Sequence, residues 1–480
     1  MYAVSLGLTL TAAEPSVRPN VIVIISDDQG WADIGYNNPA VYTPHLDRLA
    51  RQGVRFTNHY VMPQCTPTRV ALMTGRYPGR FGRRALHANN QPVFPLGTPT
   101  LPGMFHEAGY ETFMSGKWHL GSVPEHGPNH FGFDESHGSL AGAVGMYNHR
   151  YHAKDDTPFD PTWHRNHRII PGWENGTHVT DLTSQEGVKF INKQRETPFF
   201  LYLAFHAPHT PLDERGEFVD TPTQPDPSDP GRWLHEDQIK WFNDPAGKIQ
   251  SEPSRDKRLL LATVHHLDSA VGDIIEALEQ TGQRENTLIL FSSDNGPWVN
   301  NAGGGYPDNY PLKDYSQPDT LRGKKLDVWE GGIHVAGFMN WPNHITPKEV
   351  KDPVHIIDWF PTLASMIGHT PAKPVDLDGI DLSPVILRHG TLPKRDLYWI
   401  WNPRTDRWAL RYENWKIVQY TSKEPDSPRD WQLYDLDSDP GEKNNVAGQY
   451  PKKVEALHER FLRQRERDYR GDMKPPNEAR

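Results

Sequence analysis

Three stretches of the chain are apolar without interruption: Asn20 to Ser26 (NVIVIIS), Phe199 to Phe205 (FFLYLAF) and Thr287 to Ser293 (TLILFSS). A strand with one wet face alternates, so unbroken β-branched and aromatic runs predict strands buried on both faces of a parallel sheet. Helical spacing lies between them. Thr43-Pro44 predicts a short helix, with Thr as N-cap and Pro in the first turn, running through Leu46 and Leu49 to a stop at Gly53. Leu101 to Ala108 predicts another, ending at Gly109 before the strand-like Tyr110 to Ser115, and Leu259 to Leu278 has the spacing of a longer one. This alternation predicts an α/β fold, a large mixed, mostly parallel sheet flanked by helices.

Beyond about Leu387 the pattern changes to short aromatic strands at Leu397 to Trp401, Arg407 to Tyr412, Trp415 to Tyr420 and Trp431 to Leu436. A charged helix from Pro451 to about Tyr469 follows them. The expected organisation is a main α/β unit over residues 16–386 and a smaller antiparallel sheet with a helix over residues 387–480. Asp213 to Pro253 and Pro342 to Pro384, rich in Pro, Asp and Gly, read as irregular insertions. Residues 1–15 are apolar and small through Ala13, in the manner of a secretory leader without its basic start, or of an unstructured terminus.

Composition narrows the partners. A chain of 480 residues can bury a large core. Its formal net charge of -10 argues against nucleic-acid binding, which needs a broad basic surface. Mean hydropathy is -0.72, and no run of about 20 apolar residues is present, which excludes a membrane-spanning helix. A single cysteine, Cys65, rules out an intrachain disulfide and asks for an explanation of its own.

In open α/β sheets functional groups gather just past the carboxyl ends of strands. Asp27-Asp28 follow the first apolar run and Asp294-Asn295 the third. Three carboxylates and an amide oxygen make a hard, all-oxygen site suited to Ca²⁺, with Mg²⁺ a lesser fit. Either pair alone reads first as turn or N-cap residues; two such pairs in one fold reverse that preference and favour the metal.

Cys65-Thr66-Pro67-Thr68-Arg69, continued by Leu72-Met73-Thr74-Gly75-Arg76, resembles the Cys-x-Pro-x-Arg signature of the formylglycine-dependent sulfatases, within the alkaline-phosphatase-like superfamily. Gly116-Lys117-Trp118-His119-Leu120-Gly121 resembles that family's second signature, and Ala207-Pro208-His209-Thr210-Pro211 its active-site histidine segment. Arg322-Gly323-Lys324-Lys325 before Trp329-Glu330-Gly331-Gly332 resembles the segment supplying a sulfate-binding lysine. Counting back from Glu330 gives that role to Lys325, with Lys324 the alternative. In style, Leu321 to Gly332 is nearest to arylsulfatase B, the N-acetylgalactosamine-4-sulfatase type.

The resemblance implies a sulfuric ester hydrolase acting on a sulfated carbohydrate, exported to the periplasm or cell exterior, and matured by an enzyme that oxidises Cys65 to formylglycine. It further implies that Asp27, Asp28, Asp294, Asn295 and residue 65 hold Ca²⁺, and that Lys117, Lys325 and His209 contact the sulfuryl group. His209 would act as general acid, His119 as base toward residue 65, and Arg69 as its orienting partner. A phosphonate or phosphate ester hydrolase of the same superfamily, or a non-catalytic carbohydrate-binding relative with an unmodified Cys65, remains the alternative. Between His126 and His178 a run of aromatic and imidazole side chains, among them His130, His137, Tyr147, His149, Tyr151, Trp163, His164 and Trp173, either covers the site or packs its surroundings.

Overall fold

The structure is a computed structural model and describes residues 18–147, 149–150, 161–170, 174, 176–209, 247, 249, 251–252, 255–298, 321–372, 375–388, 390–401, 407–420 and 430–475. The leader-like residues 1–15, most of the insertion from Asp213, and Tyr151, Trp173 and Asn175 lie outside them.

A ten-stranded sheet forms the centre. In chain order its strands are β1 (Asn20–Ser26), β2 (Val54–Phe56), β4 (Glu111–Lys117), β5 (Glu135–Ser139), β6 (Trp163–Arg165), β7 (Arg168–Ile169), β8 (Phe199–Ala204), β9 (Thr287–Ser293), β10 (Gly337–Asn340) and β11 (Lys348–Val350). Their spatial order is β11-β2-β10-β9-β1-β8-β4-β5-β6-β7. The five central strands, β9-β1-β8-β4-β5, are mutually parallel. β10 runs antiparallel to β9 and β2, and β6 and β7 add antiparallel pairs at the far edge. Two further strands, β3 (His59–Tyr60) and β12 (Val354–His355), pair with each other in parallel.

The three apolar runs are the middle of this sheet, and their alternate residues divide between two cores. Val21, Val23 and Ile25 join Phe200, Tyr202, Leu288 and Leu290 on one face. Ile22 and Ile24 join Leu201, Leu203, Ile289 and Phe291 on the other. The second face is covered by helices α1 (Pro44–Arg51), α4 (Val179–Ile191) and α5 (Arg255–Gln280), through Leu46, Leu49, Phe190, Leu267, Val271 and Ile274. On the first face lie α2 (Cys65–Thr74), α3 (Leu101–Glu107), α7 (Trp359–Met366) and the C-terminal unit; α6 (Glu330–Ile333) and α8 (Ser383–Leu387) are short connectors.

That unit is a four-stranded antiparallel sheet, β13 (Asp396–Trp401), β14 (Arg407–Tyr412), β15 (Trp415–Tyr420) and β16 (Gln432–Asp435). Helix α9 (Pro451–Glu466) lays Val454, Leu457 and Phe461 into the same core as Trp408 and Trp431.

Two local expectations are corrected. Thr43 is the N-cap residue of α1, but its side chain makes no cap bond: the hydroxyl accepts from the Gly35 amide at 2.7 Å and donates to Asp47 at 3.0 Å. The α1 amides of His45 and Leu46 donate instead to Asp268 of α5, at 3.2 and 2.8 Å, so a distant carboxylate supplies the cap. The Pro-punctuated stretch Pro342 to Pro384 holds β11, β12, α7 and the start of α8. Pro361 falls in the first turn of α7, where a missing N–H costs no helical hydrogen bond.

Candidate functional site

Adjacent parallel strands β1 and β9 end in register, Ser26 opposite Ser293, so their next residues emerge side by side. Asp27, Asp28, Asp294 and Asn295 are all buried there. Asp28 adopts a left-handed backbone, φ 69°, which a short polar side chain tolerates, and its amide donates to Asp294 Oδ1 at 3.2 Å.

Cys65 opens α2, a placement that the motif alone did not reveal. The helix starts there because Pro67 occupies the first turn, and stops at Gly75, whose left-handed φ of 65° closes it with a bond to Ala71 O at 2.9 Å. Gln64 offers no side-chain cap, so the positive end of the helix meets the acidic strand ends. Asp27, Cys65 and Asp294 each place a donor atom within 4.8 Å of the others, and so do Asp27, Asp28 and His209.

Cations enclose these acids. Arg69, one helical turn after Cys65, donates through Nε and Nη2 to Asp294 Oδ2 at 3.2 and 2.8 Å and through Nη1 to the Lys117 carbonyl at 2.8 Å. Lys117, the last residue of β4, ion-pairs with Asp27 Oδ2. Gly116 before it has φ 109°, and a Cβ there would fall on the Ala204 carbonyl oxygen, which explains the glycine of that motif. Lys325 Nζ lies 2.7 Å from Asp28 Oδ1, whereas Lys324 binds Asp327 through its backbone amide. Of the two lysines left open by the sequence, Lys325 is the one that reaches the acids.

His119 Nδ1 sits 3.3 Å from Cys65 Sγ on a left-handed backbone, φ 58°. Its ring rests on Gly142, where any Cβ would collide with it. His209 Nε2 is 3.7 Å from Asp28 Oδ2. His206, one turn of chain earlier, is buried, and neither ring nitrogen has a hydrogen-bond partner among the described residues.

Three carboxylates, Asp27, Asp28 and Asp294, therefore face three cations, Arg69, Lys117 and Lys325. Two acceptors are left over: Asp27 Oδ1 and Asn295 Oδ1 are buried without a partner among the described residues. Orphaned hard oxygens in a buried acidic cluster fit Ca²⁺, which would give each the positive partner it lacks.

Burial sets the titration of the cluster. It pushes the Cys65 thiol up, against the pull of Lys117 and Lys325. Burial, with Asp27 adding to it, raises Asp294. Asp28 goes the other way: burial raises it, but Lys325 and His209 together outweigh that and hold it below the usual carboxylate range. His119 is held well below the normal histidine range by burial and then by Lys117, Arg69 and Lys325, which leaves a neutral ring beside Cys65.

Where it is described, the aromatic and imidazole segment is buried packing except at His130, which is exposed. Trp163 and His164 are buried strand residues of β6. His149 stacks on Trp163, His137 bonds Glu174 at 2.7 Å, and Tyr147 joins a small core with Met146, Val179 and Leu182. Two residues beside the cluster had no motif to announce them: Gly142, visible only once His119 is placed, and Trp298, four residues beyond Asp294.

Residues 19–369 match the sulfatase family, and residues 324–467 match the N-sulphoglucosamine sulphohydrolase C-terminal family. Arylsulfatase J of Mus musculus is 30% identical over 495 residues, covering 92% of this chain and 75% of that protein. N-acetylgalactosamine-6-sulfatase of Mus musculus is 31% identical over 412 residues, covering 82% and 71%. Among solved structures, Ps i-CgsB in complex with k-i-k-neocarrahexaose superimposes with a TM-score of 0.76 at 27% identity, over 96% of each chain. The match over 351 consecutive residues runs from β1 through both acidic strand ends and the Cys65 helix, and the chain belongs to the sulfatase family, hydrolases of sulfuric esters.

Proposed function

We propose that this protein removes O-sulfate from a sulfated saccharide, using residue 65, oxidised from cysteine to formylglycine by a maturation enzyme, and a Ca²⁺ ion held by Asp27, Asp28, Asp294 and Asn295. The observation that carries the reading is the position of Cys65 Sγ, 3.3 Å from a neutral His119 and grouped with Asp27 and Asp294. The saccharide is supported by the relatives, one named for N-acetylgalactosamine 6-sulfate and one solved with a neocarrahexaose.

Formylglycine, as its hydrate, would supply two hydroxyls on one carbon, one to attack sulfur and one whose deprotonation later expels sulfate. Ca²⁺ would supply positive charge to the attacking oxygen and to the sulfate. The chain's own groups perform the rest. Lys117 and Lys325 neutralise the sulfuryl oxygens, which otherwise repel a nucleophile. Arg69, locked by three hydrogen bonds, fixes Asp294 and the first turn of α2. His119, neutral and beside residue 65, takes the proton of its second hydroxyl. His209 stands at the outer side, and an anionic ester next to it raises its affinity for the proton that it gives to the leaving alcohol.

The assignment of residues 16–386 as the catalytic unit and 387–480 as an appended α+β unit belongs to this proposal, as does export, supported by the leader-like residues 1–15. Among the described residues no helix is long and apolar enough to cross a membrane. The test is sulfate release, by ion chromatography, from a panel of sulfated saccharides alongside matched phosphate and phosphonate esters. The reading expects the sulfates to be turned over fastest and the reaction to stop on chelation; faster hydrolysis of the phosphonates would overturn it.

A further inference from the structure

The proposed site has an inside and an outside, and its side chains grade between them. Those of Arg69 and Lys117 are 0% exposed, that of Lys325 7% and that of His209 18%. The opening therefore lies on the Lys325 and His209 side. In-line displacement at sulfur puts the leaving alcohol away from the nucleophile, so whatever carries the sulfate extends through that opening.

One large apolar group stands there. Trp298, partly exposed, has the Lys325 ammonium 5.6 Å from its ring centroid. Its position is fixed by its neighbours. Pro297 O accepts the Lys325 amide at 2.9 Å, and the Gly296 amide donates to Gly332 O at 3.0 Å, which ties the segment after β9 to the Lys325 segment. On its other side Pro297 closes against Gly30, where a Cβ would strike the proline ring. The indole is thus carried on the same strand end as Asp294 and Asn295, a few residues farther out.

We propose that Trp298 is a specificity-determining residue whose indole face receives the pyranose ring bearing the sulfate. This rests on the function proposed above. Lys325 fixes the sulfate, and the adjacent indole offers a flat, π-rich surface to the C–H face of a ring. An acyclic alkyl sulfate has no such face, so the pair selects a cyclic saccharide ester.

The test uses full-length, matured enzyme and N-acetylgalactosamine 4-sulfate, N-acetylgalactosamine 6-sulfate, galactose 4-sulfate and galactose 6-sulfate, continuing with whichever the wild type hydrolyses fastest. Trp298→Ala should raise KM about fivefold to fiftyfold, the range for loss of a stacked ring, with kcat and inhibition by inorganic sulfate unchanged within about twofold. Trp298→Phe, which keeps a smaller ring, should recover most of the loss. A KM within about twofold of wild type overturns the inference. So does a parallel weakening of sulfate inhibition or a fall in kcat alone, because either means that the indole only props Lys325. A wild type that releases no sulfate from any of the four sinks the proposed function itself, whatever Trp298 does.

Discussion

Two of this chain's clusters of buried charge are built on opposite terms. One is the site at the ends of β1 and β9. The other joins α6 and β3 to the C-terminal sheet: Lys416 of β15 reaches Glu330 and Glu442, each at 2.8 Å. The Glu330 amide donates to Glu442 at 2.7 Å, Tyr60 donates to Glu330 at 2.6 Å, and Arg411 holds the Tyr60 hydroxyl. In this seam each carboxylate is ion-paired within the chain; Glu442 Oε1, which accepts no hydrogen bond among the described residues, still has the Lys416 ammonium 2.8 Å away. In the site, Asp27 Oδ1 and Asn295 Oδ1 have no partner among the described residues. A buried acceptor with neither a donor nor a cation beside it costs stability, so the site holds an unmet demand for positive charge that the seam lacks. The contrast teaches that burial of charge marks function only where the chain leaves the charge unanswered.

The comparison breaks if the two clusters respond alike. The largest expected effect is at the site: Cys65→Ala should cut sulfate release more than about a thousandfold, as loss of a nucleophile does. Its urea-unfolding free energy should move by no more than about 1.5 kcal/mol. At the seam the pattern reverses. Lys416→Ala strands two buried carboxylates and should cost about 3–5 kcal/mol in the same unfolding experiment, while kcat of the folded fraction stays within a few-fold of wild type. Loss of kcat with unchanged stability would make the seam part of the site.

Metal removal sharpens the contrast. Calcium at a hundred times its Kd should add about 2.7 kcal/mol to unfolding of the wild type. The increment should be the same in Lys416→Ala, since distant clusters add. Gly142→Ala pushes the His119 ring from residue 65 and should lower kcat about tenfold or more, with KM little changed in steady-state assays.

The smallest effect is a pH slope. Burial, with Glu330 adding to it and Lys416 opposing, pushes Glu442 up to about 7. A carboxyl raised in the folded state contributes stability that is complete below its ordinary value, near 4.5, and is lost as pH rises through about 7. Thermal melts of wild type and Glu442→Gln should therefore differ in slope across that window, the wild type losing about 1 kcal/mol or more relative to the variant. Equal slopes in the two proteins would assign the pH dependence to other groups.

The sheet's centre was legible because β1, β8 and β9 are buried on both faces, which leaves unbroken apolar runs. Strands of two or three residues such as β2, β3, β11 and β12 carry no period to detect; their place is set by pairing with distant strands. The position of the α1 cap, Thr43, was legible, but the group that serves its amides was not, since Asp268 lies 222 residues from the amide it receives. In the site, Cys65, Lys117 and Lys325 sit in short motifs and were readable one by one. That Gly142 bears on the His119 ring and that Trp298 stands beside Lys325 are facts of folding, with no local signal.

The account turns on residue 65 acting only after oxidation. Its most direct test is peptide mass spectrometry of residue 65 in preparations matured to different extents, each assayed for sulfate release on one sulfated saccharide. Specific activity should rise in proportion to the formylglycine fraction and vanish where only the thiol is present. Full activity in a preparation whose Cys65 is unmodified would contradict it.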